Sequence, residues 1–272
     1  MPVPPALATG STAVWWNPAQ VGDDARLSLG LDLLQMASVI GASGFLAAMQ
    51  VPLARLGRVG LIYGRMELSD LVRTSVSPDP DPGSIPFHTQ AIGLSWARSV
   101  VGGGSRGSGV LVGATLAHHD TRLDLARSQR WTLDVGVEHR VADGVRIAAA
   151  THFFSGLHTD NAEQDFYTGV EGRFWRRPLW KGGVPAEVLG RVGLTLGAGL
   201  GSDLLTGVGL ELGDGFGMSF LVAREGGYGD AEYRPIAGLR VGIGRYRLSF
   251  SRDAGVNGIG SAYRVGIEAR RR

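Results

Sequence analysis

Along most of this chain apolar and polar residues alternate with a period of two. That is the spacing of a strand with one face in an apolar medium and the other in a polar one. Across 131–141 the odd positions are Trp131, Leu133, Val135, Val137, His139 and Val141, and the even ones are Thr132, Asp134, Gly136, Glu138 and Arg140. Across 165–174, Phe166, Val170 and Phe174 share a face with Thr168 and Gly172, opposite Asp165, Tyr167, Gly169, Glu171 and Arg173. Near the end, Tyr263, Val265, Ile267 and Ala269 alternate with Arg264, Gly266, Glu268 and Arg270. The pattern predicts strands at 25–34, 44–52, 58–68, 87–99, 107–119, 129–141, 145–155, 164–176, 186–200, 203–212, 216–226, 231–243, 245–253 and 260–270.

A soluble sandwich also alternates, so two further features decide the class. Many of these stretches run to ten residues or more, against about five or six in an ordinary soluble strand. Tilted strands that cross a bilayer need about nine to eleven. The connections also differ by parity. Tight turns at Ala142-Asp143-Gly144, Gly213-Asp214-Gly215 and Gly244-Arg245 follow strands six, ten and twelve, while the long links 69–86, 156–163 and 253–258 follow odd strands. The short link after strand nine and the longer 178–185 link after strand eight are the exceptions. This is the arrangement of an all-β, closed, antiparallel up-and-down transmembrane barrel of about fourteen strands, with short turns on one side and longer loops on the other. Its expected location is the bacterial outer membrane, among outer-membrane lipids.

Composition sharpens that picture. Glycine makes up 43 of 272 residues, about twice the usual ~7%, and sits within apolar stretches, where it relieves crowding as a sheet curves. Basic and acidic residues nearly balance, 27 against 25, with no dense basic block to mark a nucleic-acid face. There is no cysteine, which excludes disulfides and cysteine metal sites. Residues 33–54 carry no charge and are long enough for a membrane helix. However, Gln35, Ser38, Ser43, Gln50 and Pro52 interrupt the run, and two strands joined by a small-residue turn explain it better. The start, Met1-Pro2-Val3-Pro4-Pro5, shows no signal peptide; the expectation is numbering that begins after cleavage or at a restarted Met.

Catalytic and metal patterns fail on context. Gly103-Gly104-Ser105-Arg106-Gly107 fits G-x-S-x-G, and residues 102–107 fit G-x-G-x-x-G. Both need a strand-turn-helix setting, and here they lie between two strands. His118 and His119 are adjacent in a strand, so they point to opposite faces and do not converge on one metal. No enzyme, cofactor or metal site is therefore expected. The alternation predicts that Asp134, Glu138, Arg140, Glu171, Arg173, Glu187, Arg191, Glu211, Arg240, Arg247, Arg264 and Glu268 face the lumen. Their mixed signs point to mutual pairing, the alternative being a polar, water-lined path.

Several motifs carry a family resemblance. They are Ala8-Thr9-Gly10-Ser11-Thr12-Ala13-Val14-Trp15-Trp16-Asn17-Pro18-Ala19, then Val51-Pro52-Leu53 and Gly57-Arg58-Val59-Gly60-Leu61-Ile62-Tyr63-Gly64. Ala91-Ile92-Gly93-Leu94-Ser95-Trp96-Ala97 and Leu133-Asp134-Val135-Gly136 follow in the same order. Together they resemble the FadL/PorV-type superfamily of outer-membrane barrels over essentially the whole chain, with the PorV/PorQ-like branch favoured. The chain is shorter than typical members, and its last strand lacks the terminal aromatic they carry. The resemblance implies an N-terminal plug segment, residues 1–24, ahead of a barrel, 25–272. It makes Trp15, Trp16, Asn17 and Pro18 the plug or binding residues, with interfacial anchoring or simple packing as the other reading of the tryptophans. It also implies one of two roles. One is an accessory or scaffold subunit binding partner or secreted proteins in a larger envelope complex. The other is a channel for hydrophobic small molecules. The polar lumen favours the first.

Overall fold

In the computed structural model the chain closes into one antiparallel barrel of fourteen strands in sequence order. The structure describes residues 2–20, 27–37, 40–53, 56–69, 71, 84–101, 109–152, 164–180, 183–197, 201–226, 232–255 and 260–271. The strands are β1 (Ser28–Gln35), β2 (Ala42–Pro52), β3 (Arg58–Leu68), β4 (Phe87–Val101), β5 (Gly109–Leu123), β6 (Ala126–Ala142) and β7 (Val145–His152). The second half holds β8 (Asp165–Pro178), β9 (Pro185–Gly197), β10 (Gly201–Leu212), β11 (Phe216–Gly226), β12 (Glu232–Ile243), β13 (Tyr246–Asp253) and β14 (Ala262–Arg270). The seam is a full ladder from Ser28↔Arg270 to Gln35↔Tyr263, so neither terminal strand leaves an edge. The charge-free run 33–54 contributes to β1 and β2, not to a helix.

The two faces follow the alternation. In β6, Thr132, Asp134 and Glu138 are buried, while Trp131, Leu133, Val135 and Val137 are exposed. The same split puts Leu29, Leu31 and Leu33 of β1 and Val265 and Ile267 of β14 on the outside. An apolar belt therefore runs around the exterior. It ends toward the odd-strand connections in an outward polar group, where Gln90 donates to Asp120 at 3.2 Å and Arg127 to Asp120 at 2.7 Å.

Most expected strand bounds hold within two or three residues. The main departure is the stretch 120–128, expected as part of a link. It is strand: β5 and β6 continue past it to a turn of Asp124 and Leu125, with Asp124 left-handed at φ 54°. The polar run His119–Arg122 opposite Arg127–Arg130 hid the continuation, because outside the apolar belt both faces are polar and the period disappears. Among the described residues three bulges, at Ser99/Val101, Arg140/Ala142 and Arg173/Trp175, all fall at C-terminal ends of even-numbered strands. There they add local twist at one rim. The 102–107 motifs and the 156–163 link lie outside the described residues.

Candidate functional site in the barrel lumen

Residues 2–20 run through the inside of the barrel as three short 3-10 turns, Pro5–Leu7, Ser11–Trp15 and Pro18–Gln20. Turns this short leave many backbone groups unpaired within the segment, and the wall supplies partners. Gln50 donates to the Ser11 carbonyl at 2.7 Å, Arg146 to the Leu7 carbonyl at 2.9 Å and Ser219 to the Pro2 carbonyl at 2.6 Å. Glu268 accepts from the Ser11 amide at 2.8 Å and from its hydroxyl at 2.7 Å. Gln20 donates to Glu138.

Small residues in the wall make the room. Gly113 of β5 and Gly136 of β6 are register partners, as are Gly169 of β8 and Gly193 of β9. A Cβ at Gly136 would overlap the Asn17 side-chain oxygen, and one at Gly113 would overlap the Pro18 backbone. The second pair lies against Leu7 and Pro4 in the same way.

The four expected N-terminal residues are all placed here. Trp15 is buried with Val14, Leu46, Ala48 and Ile62, and its indole N–H donates to the Ala47 carbonyl at 3.3 Å. Trp16 packs within 5.5 Å of His152 and 6.3 Å of Tyr167, ring to ring. Both tryptophans thus pack on the inner side of the wall. Asn17 is 0% exposed. It donates to the Ala6 carbonyl at 2.8 Å and accepts from the Ala19 amide at 3.0 Å. It therefore ties two turns of the segment together beside Gly136, deep in the barrel. Pro18 is fully buried.

The lumen charges form a ladder across successive strands. Glu138, only 1% exposed, meets Arg140 at 2.8 Å and Arg146 at 3.3 Å. Arg146 meets Glu171 at 2.7 Å, Glu171 meets Arg191 at 2.6 Å, and Glu211 lies 3.5 Å from Arg191 and 3.4 Å from Arg240. Farther round, Glu268 lies 3.4 Å from Arg247 and 3.3 Å from Arg270, and Arg264 meets Asp32 at 2.5 Å. Arg173 pairs with Asp143 at 2.6 Å and with Glu187 at 3.6 Å, at the bulged rim and apart from the ladder. Asp134 faces His152 at 3.4 Å, toward the other end. Arg146 and Arg191 each sit between two carboxylates, the arrangement that offsets the cost of desolvating an ion.

Sequence reasoning missed Arg146, Asp32, Gln20 and Gln50. Asp32 was legible, since Leu29, Leu31 and Leu33 flank it in strict alternation. Arg146 was not, because Ala148, Ala149 and Ala150 make the two faces of β7 alike. His118 and His119 diverge as expected: His118 packs edge-on against Trp131 at 5.0 Å outside, and His119 bonds Thr132 at 2.9 Å inside.

A cavity of about 190 Å³ remains between the N-terminal segment and β1, β12, β13 and β14. Its wall is a short grid fixed by register. One row is Arg240–Ser249–Gly266–Asp32, and the next is Gly242–Arg247–Glu268–Gly30. Arg264 stands above them.

No protein-family model and no curated protein matches the chain. Solved structures match in fold. The toluene transporter TbuX of Ralstonia pickettii aligns with a TM-score of 0.54 at 14% identity, over 97% of this chain and 95% of that one. The outer membrane protein Omp33 of Acinetobacter baumannii aligns with a TM-score of 0.53 at 6% identity, over 91% of this chain and 98% of that one. At such identities the likeness is one of fold. The chain has the closed-barrel fold of bacterial outer-membrane proteins.

Proposed function

We propose that this chain is an outer-membrane barrel that passes small molecules across the membrane, with its own N-terminal segment as the plug. The observation that carries this reading is the seating of residues 2–20 in the lumen by wall side chains that reach segment backbone. Bonds of this kind contribute about 0.5–1.5 kcal/mol each, net, and about 1.5–3 where Glu268 or Arg146 is the partner. A set of them holds a segment in place and still releases it without unfolding the sheet. The exposed apolar belt supports a lipid setting, and the fold likeness to a protein named as a toluene transporter supports passage of small molecules. No catalysis and no nucleic-acid partner are part of this reading. The test is conductance in planar bilayers. The full chain should pass little current, and a chain lacking residues 2–20 should pass several-fold more. Equal conductance of the two, with the barrel folded, rejects the reading.

A PorV-like accessory role, binding partner or secreted proteins, is the second reading. It is favoured by the ladder from Glu138 to Arg240, which neutralises much of the lumen wall. This reading expects unchanged conductance on deletion and an envelope protein that co-purifies in fixed ratio.

A further inference from the structure

We propose that the cavity beneath the N-terminal segment is a binding site for a small oxyanion of the phosphate or carboxylate type. This deepens the transport reading by naming a class of solute, and it rests on that reading's placement of residues 2–20 over the cavity.

The register explains why the site is cationic. Arg240, Arg247 and Arg264 come from three successive strands, and the small residues Ser249 and Gly266 lie between them. The guanidinium groups border a space whose floor carries a hydroxyl and no bulk. A Cβ at Gly266 would overlap Asp32 and Ser249, so even an alanine there would fill the floor.

The donors outnumber the acceptors. Two carboxylates also line the cavity, Asp32 and Glu268, against three guanidinium groups. Both carboxylates are engaged. Glu268 accepts twice from Ser11 and lies against Arg247 and Arg270, and Asp32 accepts from Arg264. Each guanidinium carries five N–H donors. Among the described residues Arg240 has one ion-pair partner, Glu211, at 3.4 Å. Its Nε is buried without a hydrogen-bond partner among the described residues, in a residue 9% exposed. An unmet charged donor in a desolvated place is costly, and an oxyanion in the cavity would give the Arg240 guanidinium, one of the groups that line it, a counter-charge. The planar guanidinium matches carboxylate and phosphate oxygens in pairs. The orphaned group is a donor, so the cavity is not built for a metal cation, and three arginines, two carboxylates and three serines make poor lining for a greasy chain.

The test uses the purified full-length barrel in detergent and calorimetric titration with inorganic phosphate and, separately, succinate, in chloride buffer of constant ionic strength. Saturable one-site binding of either anion is expected. Binding of phosphate alone assigns a phosphate-type solute, and binding of succinate alone a carboxylate. Arg240→Gln should weaken binding at least tenfold, and Ser249→Ala should weaken it less. Arg176→Gln, at a rim arginine paired with Glu187, should leave it unchanged, with the heat-modifiable gel shift confirming that each variant is folded. No saturable binding by the intact barrel, or equal affinity of the folded Arg240→Gln and Arg176→Gln variants, overturns the site. The bilayer result is independent. If conductance rises on deletion and neither anion binds, the site alone is rejected. If an anion binds and deletion changes nothing, the transport reading fails and the site stands.

Discussion

Val135 and Gly136 are neighbours in sequence and face different media. Val135 is half exposed on the apolar outside, and Gly136 lies against Asn17 within. Replacing Val135 with Arg should cost about 2–4 kcal/mol in vesicle-embedded protein unfolded by urea, the cost of a cation on the lipid face near midplane. Leu125→Arg, at a turn residue 88% exposed, should cost almost nothing; equal costs at the two positions contradict the facing. Gly136→Leu acts from the other side. Its side chain would occupy the place of the Asn17 amide, an overpacking cost of about 1–3 kcal/mol. The segment should shift before the sheet does, so limited proteolysis within residues 2–20 should speed up while the barrel stays heat-modifiable. Unchanged proteolysis would place Asn17 elsewhere. Which residues face inward was legible in β6 because large apolar residues mark one face there. What Asn17 holds was not, since its partner Ala6 lies eleven positions away in a segment with no period to read.

At the scale of elements, the strands were legible where lipid selects one face and illegible where it does not. The β5–β6 hairpin is the clearest case, because its outer third carries polar residues on both sides and ends in a turn with no glycine. Asp124 occupies the left-handed region there, which asparagine and aspartate tolerate and β-branched residues do not. Asp124→Val should therefore destabilise the protein by about 1–2 kcal/mol, and Asp124→Gly should stay within a few tenths of wild type. Urea midpoints check both. If valine is as well tolerated as glycine, the turn is not the one described. The parity of the connections was visible in the sequence because tight Asp-Gly and Gly-Arg turns need particular residues. The position of the three bulges was not, because an extra residue at a rim leaves no mark on an apolar pattern.

The whole molecule is a sheet closed on itself around part of its own chain. Closure removes every strand edge, so the remaining question of order inside the barrel falls to polar contacts. Arg146 joins the two systems: it meets Glu138 and Glu171 in the wall and the Leu7 carbonyl in the segment. Arg146→Met should cost about 3–5 kcal/mol by leaving buried carboxylates undercompensated, more than Arg176→Met at the rim; a smaller loss at Arg146 than at Arg176 would mean the ladder is water-filled. Mixed charge in the lumen was apparent from the sequence. The order in which those charges pair was not, because it depends on the register between strands.

The central claim is that residues 2–20 lie within the lumen, and the absence of native cysteine allows a direct measurement. A Cβ at Gly30 would lie 2.8 Å from that of Ser11, so the two reach the Cβ separation of a disulfide once the segment backs off by about 1 Å. The pair Ser11→Cys with Gly30→Cys should cross-link on mild oxidation in native membranes and shift mobility on a non-reducing gel. The wall pair Gly93→Cys with Ala117→Cys, at a comparable 2.9 Å, serves as the control. Cross-linking of both pairs is the predicted result. Cross-linking of the wall pair alone would place the N-terminal segment outside the barrel and contradict the account.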